Sequence, residues 1–437
     1  MSTPRRSAFA VRDFRLLWIG EAVSTLGDQF AMIALPWLAL VLTGSALALG
    51  TVLALMAVPR AVLMIVGGAY VDRLSPRRVM LASNVVRLVA VGALGVIVLA
   101  GTVEMWMLYA FALVFGVADA FFYPAQSAMV PELVSGEQLQ QANGIVQGTA
   151  QFTTLVGPAA AGVAIAAFSG AGASPGLEGV GLALLIDAAT FVASLATLLL
   201  IAARTSHEMS EGSVVRQIAQ GVAFVWSSPS IRVMMVLSMA ANLLIVGPLD
   251  VGLPVLAYSR LPEGAAAFGL ILSAFGAGSL LGMAGATLLP PLPKQHFGSL
   301  MLGLFSLSGV CLAMMAFVNA TIVALAIAVM AGAILGYTNI TYITWIQRRI
   351  PRNLMGRVMS LLMFSSMALV PISMALSGAL VTISLNGVLL AGGLGMAGLA
   401  LIGLLSASVR RMGLEPTIDS EEARLEPTGT IEVAPAG

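Results

Sequence analysis

The chain has 437 residues, 59% of them hydrophobic and 9% charged, against the roughly 25% charged residues of an average soluble domain. That composition excludes an ordinary soluble globule, and a net charge of +1 gives no electrostatic basis for holding nucleic acid. The single cysteine, Cys311, allows no intramolecular disulfide, and neither His207 nor His296 has a second His or a Cys at metal-ligand spacing. No metal site and no cofactor are expected.

Apolar runs recur along the chain, each near the roughly 20 residues a helix needs to cross about 30 Å of hydrocarbon. In order they are Leu16–Leu42, Ala46–Tyr70, Val79–Gly101, Trp106–Val130, Ala142–Phe168 and Val180–Ile201, then Val233–Tyr258, Ala265–Leu289, Phe297–Val318, Thr321–Ile346, Val358–Ile383 and Val388–Val409. None alternates polar and apolar as membrane strands do. The fold class expected is therefore an all-α membrane protein of twelve transmembrane helices in two six-helix bundles, with residues 1–203 as the first bundle and 233–410 as the second.

Between the bundles, residues 204–232 form a polar connection. Within it, Val214, Val215, Ile218, Val222, Val225 and Trp226 share one helical face. Such a helix either lies on the inner leaflet or is a short soluble linker. The tail, 411–437, is rich in Glu, Pro and Thr and is expected to be disordered. If the N-terminus is cytoplasmic, 18 of the 21 basic residues fall on the cytoplasmic side, Arg260 falls outside, and Arg60 and Arg87 lie within the membrane. This asymmetry predicts a multi-pass protein with both termini cytoplasmic. The first apolar run carries no small-residue cleavage site after it and reads as a retained helix.

Charges within the spans carry the functional information, because each is costly unless paired or facing a cavity. At about 1.5 Å rise per residue, Asp28 lies about 18 Å, Arg60 about 15 Å and Asp119 about 17 Å into the membrane, all near mid-depth. Glu21 is nearly on the face of Asp28, as a second proton stop or an interfacial residue. Arg87 and Asp187 are less persuasive and read as structural. Asp250, about 25 Å up the seventh span, falls near the outer rim, where it could close a gate. Gln29 and Asn339 are further cavity or gate candidates. Trp37, Phe115, Phe121, Phe122, Tyr123 and Tyr337 would suit an adaptable pocket, although most such residues pack or face lipid.

The two halves echo each other. "FGVADAFFYPAQSAMVP" in the fourth span and "LGYTNITYITWIQRRIP" in the tenth place Gly116 and Pro131, then Gly336 and Pro351, at the same spacing, with Asn339 in the position of Asp119. "LVGPAAAG" and "LVPISMALSG" extend the match. Together with a six-plus-six division this favours duplication.

Between spans two and three, Gly68, Asp72, Arg73, Arg77 and Arg78 resemble the cytoplasmic signature of the major facilitator superfamily, with Ser75 where that family usually has Gly. In span five, Gly144, Gly157, Pro158 and Gly162 resemble its exporter signature, broken by Thr153 and Ala161. "STLGDQFAMIALPWLAL", "LTGSA" and "VDRLSPRRVML" look like the twelve-span drug:proton antiporter branch that contains macrolide and siderophore exporters. The resemblance runs through Val409. It implies a latch between the halves at the first signature, where Asp72, near the start of the third helix, would meet the positive end of that helix dipole. It also implies that spans one and four line a central cavity faced by Asp28 and Asp119, with Arg60 in reach of one or both, and that spans three and six are scaffold.

Burial favours the neutral form of a carboxyl group and a nearby guanidinium opposes it, so such a cluster can exchange a proton for a cationic substrate. The same residues could instead be a static ion pair. The function expected is secondary active export of amphiphilic, drug-like small molecules by proton antiport with alternating access, in a cell-membrane protein that works as a monomer among lipids. The alternative is a dedicated exporter of one metabolite or siderophore, or a lysophospholipid transporter, on the same fold. A membrane enzyme would need a His-rich or Ser/His/Asp cluster near an interface, which the sequence lacks, and mid-depth charges argue against a non-transporting sensor.

Overall fold

The computed structural model describes residues 7–73, 75–168, 177–202, 222–289, 294–350, 354–405 and 412. Among them, long apolar runs satisfy their backbone within helices, as hydrocarbon requires, and no residue is in a strand. The first half holds α1 (Arg12–Thr43), α2 (Ala46–Arg73), α3 (Pro76–Leu99), α4 (Met105–Leu133), α5 (Gly136–Phe168) and α6 (Leu177–Leu200). The second holds α7 (Pro229–Arg260), α8 (Ala265–Leu288), α9 (Phe297–Met315), α10 (Thr321–Gln347), α11 in two pieces, Met355–Ala368 and Val370–Val381, and α12 (Leu385–Gly403). Eleven of these are long and apolar enough to cross a membrane, and α11 reaches that length only as its two pieces together.

Two spans expected to be continuous are interrupted. α7 contains a π-helical turn at Asn242–Val246, and α11 is broken at Leu369, two residues before Pro371. Proline lacks an N–H and its ring crowds the preceding turn, which accounts for the second break. α2 also runs on through Asp72 to Arg73, so Asp72 lies in the last turn of α2 rather than at the head of α3. Its side chain and that of Arg73 lie outside the described residues, as do the surroundings of Gly68, residues 203–221 of the connection and 413–437 of the tail.

Each half repeats one packing plan. α2 lies on α4 and α3 on α6; α8 lies on α10 and α9 on α12 in the same way. The equivalence reaches single atoms: a Cβ on Gly116 would stand 2.3 Å from the Met56 carbonyl of α2, and one on Gly336 would stand 2.1 Å from the Ser279 carbonyl of α8. Only glycine permits helices to approach so closely.

The halves meet along two related seams, α5 against α8 and α2 against the second piece of α11. Gly162 faces Gly269 across the first seam, and Gly50 faces Gly378 across the second. At the far end, where α1 stops in a left-handed Gly44 cap, one continuous apolar cluster joins the halves. Trp37 of α1 meets the edge of Tyr258 of α7 there, ring centroids 5.5 Å apart. At the end where α1 begins, each half has its own cluster, one around Phe14 and Met80, the other around Met234 and Trp345. The molecule is sewn together at one end and divided at the other.

Candidate transport site

Five helices of the first half, α1, α2, α3, α4 and α6, bring charge to one place. Arg87 of α3 is 1% exposed, and its Nη2 donates to Oδ1 of Asp119 on α4, itself buried. The guanidinium lies 3.9 Å from the centroid of the Phe122 ring, with Phe115, Tyr123 and Phe191 further out, so four aromatic faces replace its water. Arg60 of α2 approaches the second carboxylate oxygen of Asp119, Nη1 to Oδ2 at 3.8 Å, and its side chain stays one-third exposed. The expected Arg60–Asp119 neighbourhood is present. The hydrogen-bonded partner, however, is Arg87, which the sequence reading assigned to the scaffold.

Asp28 and Glu21 lie nearby on α1. Asp28 is half-buried, with Oδ1 enclosed and without a hydrogen-bond partner, in the electrostatic range of Arg87 and Asp119. Glu21, two turns away on the same side, accepts from Gln126 Nε2 of α4 at 2.5 Å through Oε2, while Oε1 is buried without a partner. Asp187 of α6 is fully buried against α1. Its Oδ1 lies 3.5 Å from the Thr190 hydroxyl, and Oδ2 has no partner. A Cβ on Gly27 would meet that Asp187 carboxylate at 2.7 Å, so Gly27 is what lets α6 bring its charge up to α1.

Between α1, α4 and α5 lies a cavity of about 200 Å³. Glu21, Asp28 and Gln126 face it beside Trp18, Phe122 and Tyr123. Trp18 is held by donation from Nε1 to the Thr149 hydroxyl at 2.8 Å. Its lining combines apolar walls, two carboxyl groups and a few amides and hydroxyls.

The other sequence candidates are placed as follows. Gln29 is buried against α5, where a Cβ on Gly157 would stand 2.4 Å from its Cγ; it packs on the exporter signature instead of reaching the cavity. Pro158 and Gly162 of that signature lie in the α5–α8 seam, and Gly269 of α8 rests against the Pro158 carbonyl. Proline at 158 interrupts the α5 backbone ladder, and Ala159 N–H donates at 2.8 Å to the Ser273 hydroxyl of α8. Gly144 is exposed, with open space where its Cβ would be. Arg77 donates to the Leu198 and Leu199 carbonyls at 2.8 and 2.9 Å, capping the end of α6, and Arg78 is exposed. Asp250 lies on α7 in the electrostatic range of Arg60, across the division between the halves. Asn339 is exposed at the middle of α10 and so does not share the burial of Asp119. Among the described residues no group of three or more His, Cys, Asp or Glu could hold a metal ion.

Sequence reasoning missed Arg87 as part of the site. A signal was available: an arginine in mid-span cannot be solvated by lipid and must pair or face a cavity.

The model of the Major Facilitator Superfamily matches residues 17–374 of the chain. Among curated proteins, the multidrug efflux pump Tap of Mycolicibacterium fortuitum is 26% identical over 375 residues, covering 84% of this chain and 88% of that protein. Tap of Mycobacterium tuberculosis (strain ATCC 25618 / H37Rv) is 27% identical over 427 residues, 92% and 96% of the two chains. Macrolide efflux protein A of Streptococcus pyogenes is 28% identical over 148 residues, 34% and 36% of the two. Among solved structures, a bacterial homologue of the iron transporter ferroportin in an inward-facing state superposes with TM-score 0.67 at 19% identity, covering 90% of this chain and 98% of that one. The nucleoside transporter NupG does so with TM-score 0.68 at 12% identity, covering 90% and 98%. With the helix plan, the duplicated packing and the match across most of its length, the chain is a membrane transport protein, not an enzyme, and belongs to the Major Facilitator Superfamily.

Proposed function

We propose that this protein exports amphiphilic, drug-like small molecules carrying positive charge in exchange for protons, by alternating access of the two halves. The observation that carries the reading is the cavity between α1, α4 and α5, into which Glu21 and Asp28 both turn beside the Arg87–Asp119 pair. Around this place stand four buried or half-buried carboxyl groups, Glu21, Asp28, Asp119 and Asp187, and two guanidiniums, Arg60 and Arg87. A site with more carboxyl groups than cations is relieved of excess negative charge either by protons or by a cationic substrate, which makes the two competitors for one place. Relatives that bear the names multidrug efflux pump and macrolide efflux protein support export as the direction. The joined far end and the divided near end support alternating access of the two halves.

Asp28 is the principal proton carrier in this reading. Asp119 is held by Arg87 and senses the state of the site, Arg60 bridges toward the second half, and Glu21 relays toward the end where α1 begins. The working units are residues 1–203 and 233–410, joined by 204–232, with both termini cytoplasmic in a monomeric cell-membrane protein surrounded by lipid. The segment from Gly68 and Asp72 through Arg73, Arg77 and Arg78 is the latch of the opposite state, in which the cytoplasmic ends of the halves close; with those ends divided, Arg77 caps α6 of its own half.

Purified protein reconstituted at fixed content in liposomes, with an imposed proton gradient and a panel of fluorescent cationic dyes, tests the reading. Asp28→Asn should abolish uncoupler-sensitive uphill movement while leaving downhill exchange partly intact. Unchanged gradient-driven transport in both Asp28→Asn and Asp119→Asn would refute it.

A further inference from the structure

The π-helical turn of α7 has a specific cause in α11. In a regular helix the Gly247 N–H would donate to the Leu243 carbonyl, four residues earlier. Here the Ser373 hydroxyl stands between them: Gly247 N donates to Ser373 Oγ at 2.9 Å, and Ser373 Oγ donates to Leu243 O at 2.6 Å. Ser373 is 1% exposed, so no water competes for either group. The approach requires glycine, since a Cβ at 247 would lie 2.3 Å from both the Ser373 carbonyl oxygen and its hydroxyl. Ser373 also sits just past the break in α11 at Leu369 and Pro371. The two interrupted helices of the second half are thus interrupted against each other, and one hydroxyl fastens them.

This contact has two mutually exclusive settings. Gly247 N–H and Leu243 C=O either close on each other, giving a regular turn, or both engage Ser373, giving the turn seen here. Each setting satisfies both backbone groups, whereas intermediate ones leave a buried donor or acceptor unmade. The structure shows the second of these settings. Beyond this contact runs the piece Gly247–Arg260, which bears Asp250, in the electrostatic range of Arg60, and Tyr258, packed on Trp37 of the first half. Side chains inserted in the backbone ladder bend helices, and π turns recur where helices must move.

We infer that Ser373 is a positioning residue of the transport cycle: its hydroxyl, inserted in the α7 ladder at Leu243 and Gly247, holds the outer piece of α7 in the setting that joins the far ends of the two halves. It acts as an internal ligand for one of two states, so its removal shifts their populations. The inference rests on the two-half architecture and not on the identity of the substrate or on proton coupling.

The test is a distance measurement between spin labels at Thr102→Cys, in the exposed turn between α3 and α4, and Ser259→Cys, exposed on α7, in full-length Cys311→Ser protein in lipid nanodiscs. Without the hydroxyl, Ser373→Ala should shift population from the short Thr102–Ser259 distance to a longer one by roughly fivefold, the factor that about one lost buried hydrogen bond carries. Gly247→Ala, which keeps the serine but blocks its approach, should shift the distribution in the same direction. A distribution like that of the unsubstituted protein in folded Ser373→Ala overturns the inference. Should Ser373→Ala not be recovered as monodisperse protein, Gly247→Ala decides on the same two readings. Failure of both to fold also overturns it, because the junction would then be a folding element alone.

Discussion

The two halves share a packing plan and differ in chemistry. Gly116 against Met56 and Gly336 against Ser279 are the same helix crossing made twice. Three residues past those glycines stand Asp119 in the first half, buried and tied to Arg87, and Asn339 in the second, neutral and exposed. Four residues past Met56 is Arg60; four past Ser279 is Met283, whose sulfur takes the Gln151 amide of α5. The first half thus carries the buried ion pair, and the second carries the interrupted helices α7 and α11. Packing geometry tolerates duplication because it needs only small residues at a crossing. A buried charge must be matched by its own partner, and that requirement lets the two copies diverge.

The most severe way to break this division is to remove its buried cation. Arg87→Leu leaves Asp119 without its hydrogen-bonded partner and should lower stability by about 3–5 kcal/mol, seen as loss of monodisperse protein and of its thermal transition in detergent. Arg87→Leu with Asp119→Leu should recover most of the yield, since an apolar pair replaces a buried ionic one at little cost.

Next in size is charge placed where the second half has none. Asn339→Asp should cost about 2.5–3.5 kcal/mol of insertion or folding energy if the carboxylate meets lipid, and Met283→Arg in the same chain should reduce the loss. Equal yields for the single and double variants would show that the crossing does not carry the first half's charge geometry into the second.

Gly116→Ala and Gly336→Ala test the shared part of the plan. Each methyl would press on a backbone carbonyl, so each should cost about 1–3 kcal/mol, and the two should be similar in thermal shift. A large difference would mean that the halves are not equivalent even in packing. The smallest effect is expected at Gly144, in the exporter signature but facing open space. There alanine should stay within about 0.5 kcal/mol of the parent, whereas alanine at Gly157 must displace Gln29.

Much of the architecture was legible in the residues. Runs of apolar side chains long enough for the bilayer located the helices within a few residues, because a lipid-facing backbone has no alternative to internal hydrogen bonding. The mid-depth charges of Asp28, Arg60 and Asp119 stood out for the same reason. The partner of Asp119 was not legible: Arg60 and Arg87 are both mid-span arginines, and the choice between them depends on how α3 is rotated against α4. Nor was the interruption of α7, since Asn242–Val246 is as apolar as its neighbours and its π turn comes from a hydroxyl 126 residues away from Gly247. Asp72 was misplaced by one element because its loop is so short that one further helical turn moves it from one helix to the next.

By itself the sequence determined that this protein spans a membrane with helices, that its two halves are related, and that the first holds charges lipid cannot solvate. These follow from local composition and period, which each segment carries alone. Only the tertiary structure decided that Arg87 is the cation Asp119 keeps, that Glu21 and Asp28 share a cavity with Gln126, that the exporter signature forms a seam with α8, and that Ser373 enters the ladder of α7. Each of these pairs residues on different helices. Which face one helix turns to another is settled by glycine contacts and buried polar satisfaction across the whole bundle, and no single segment contains that information.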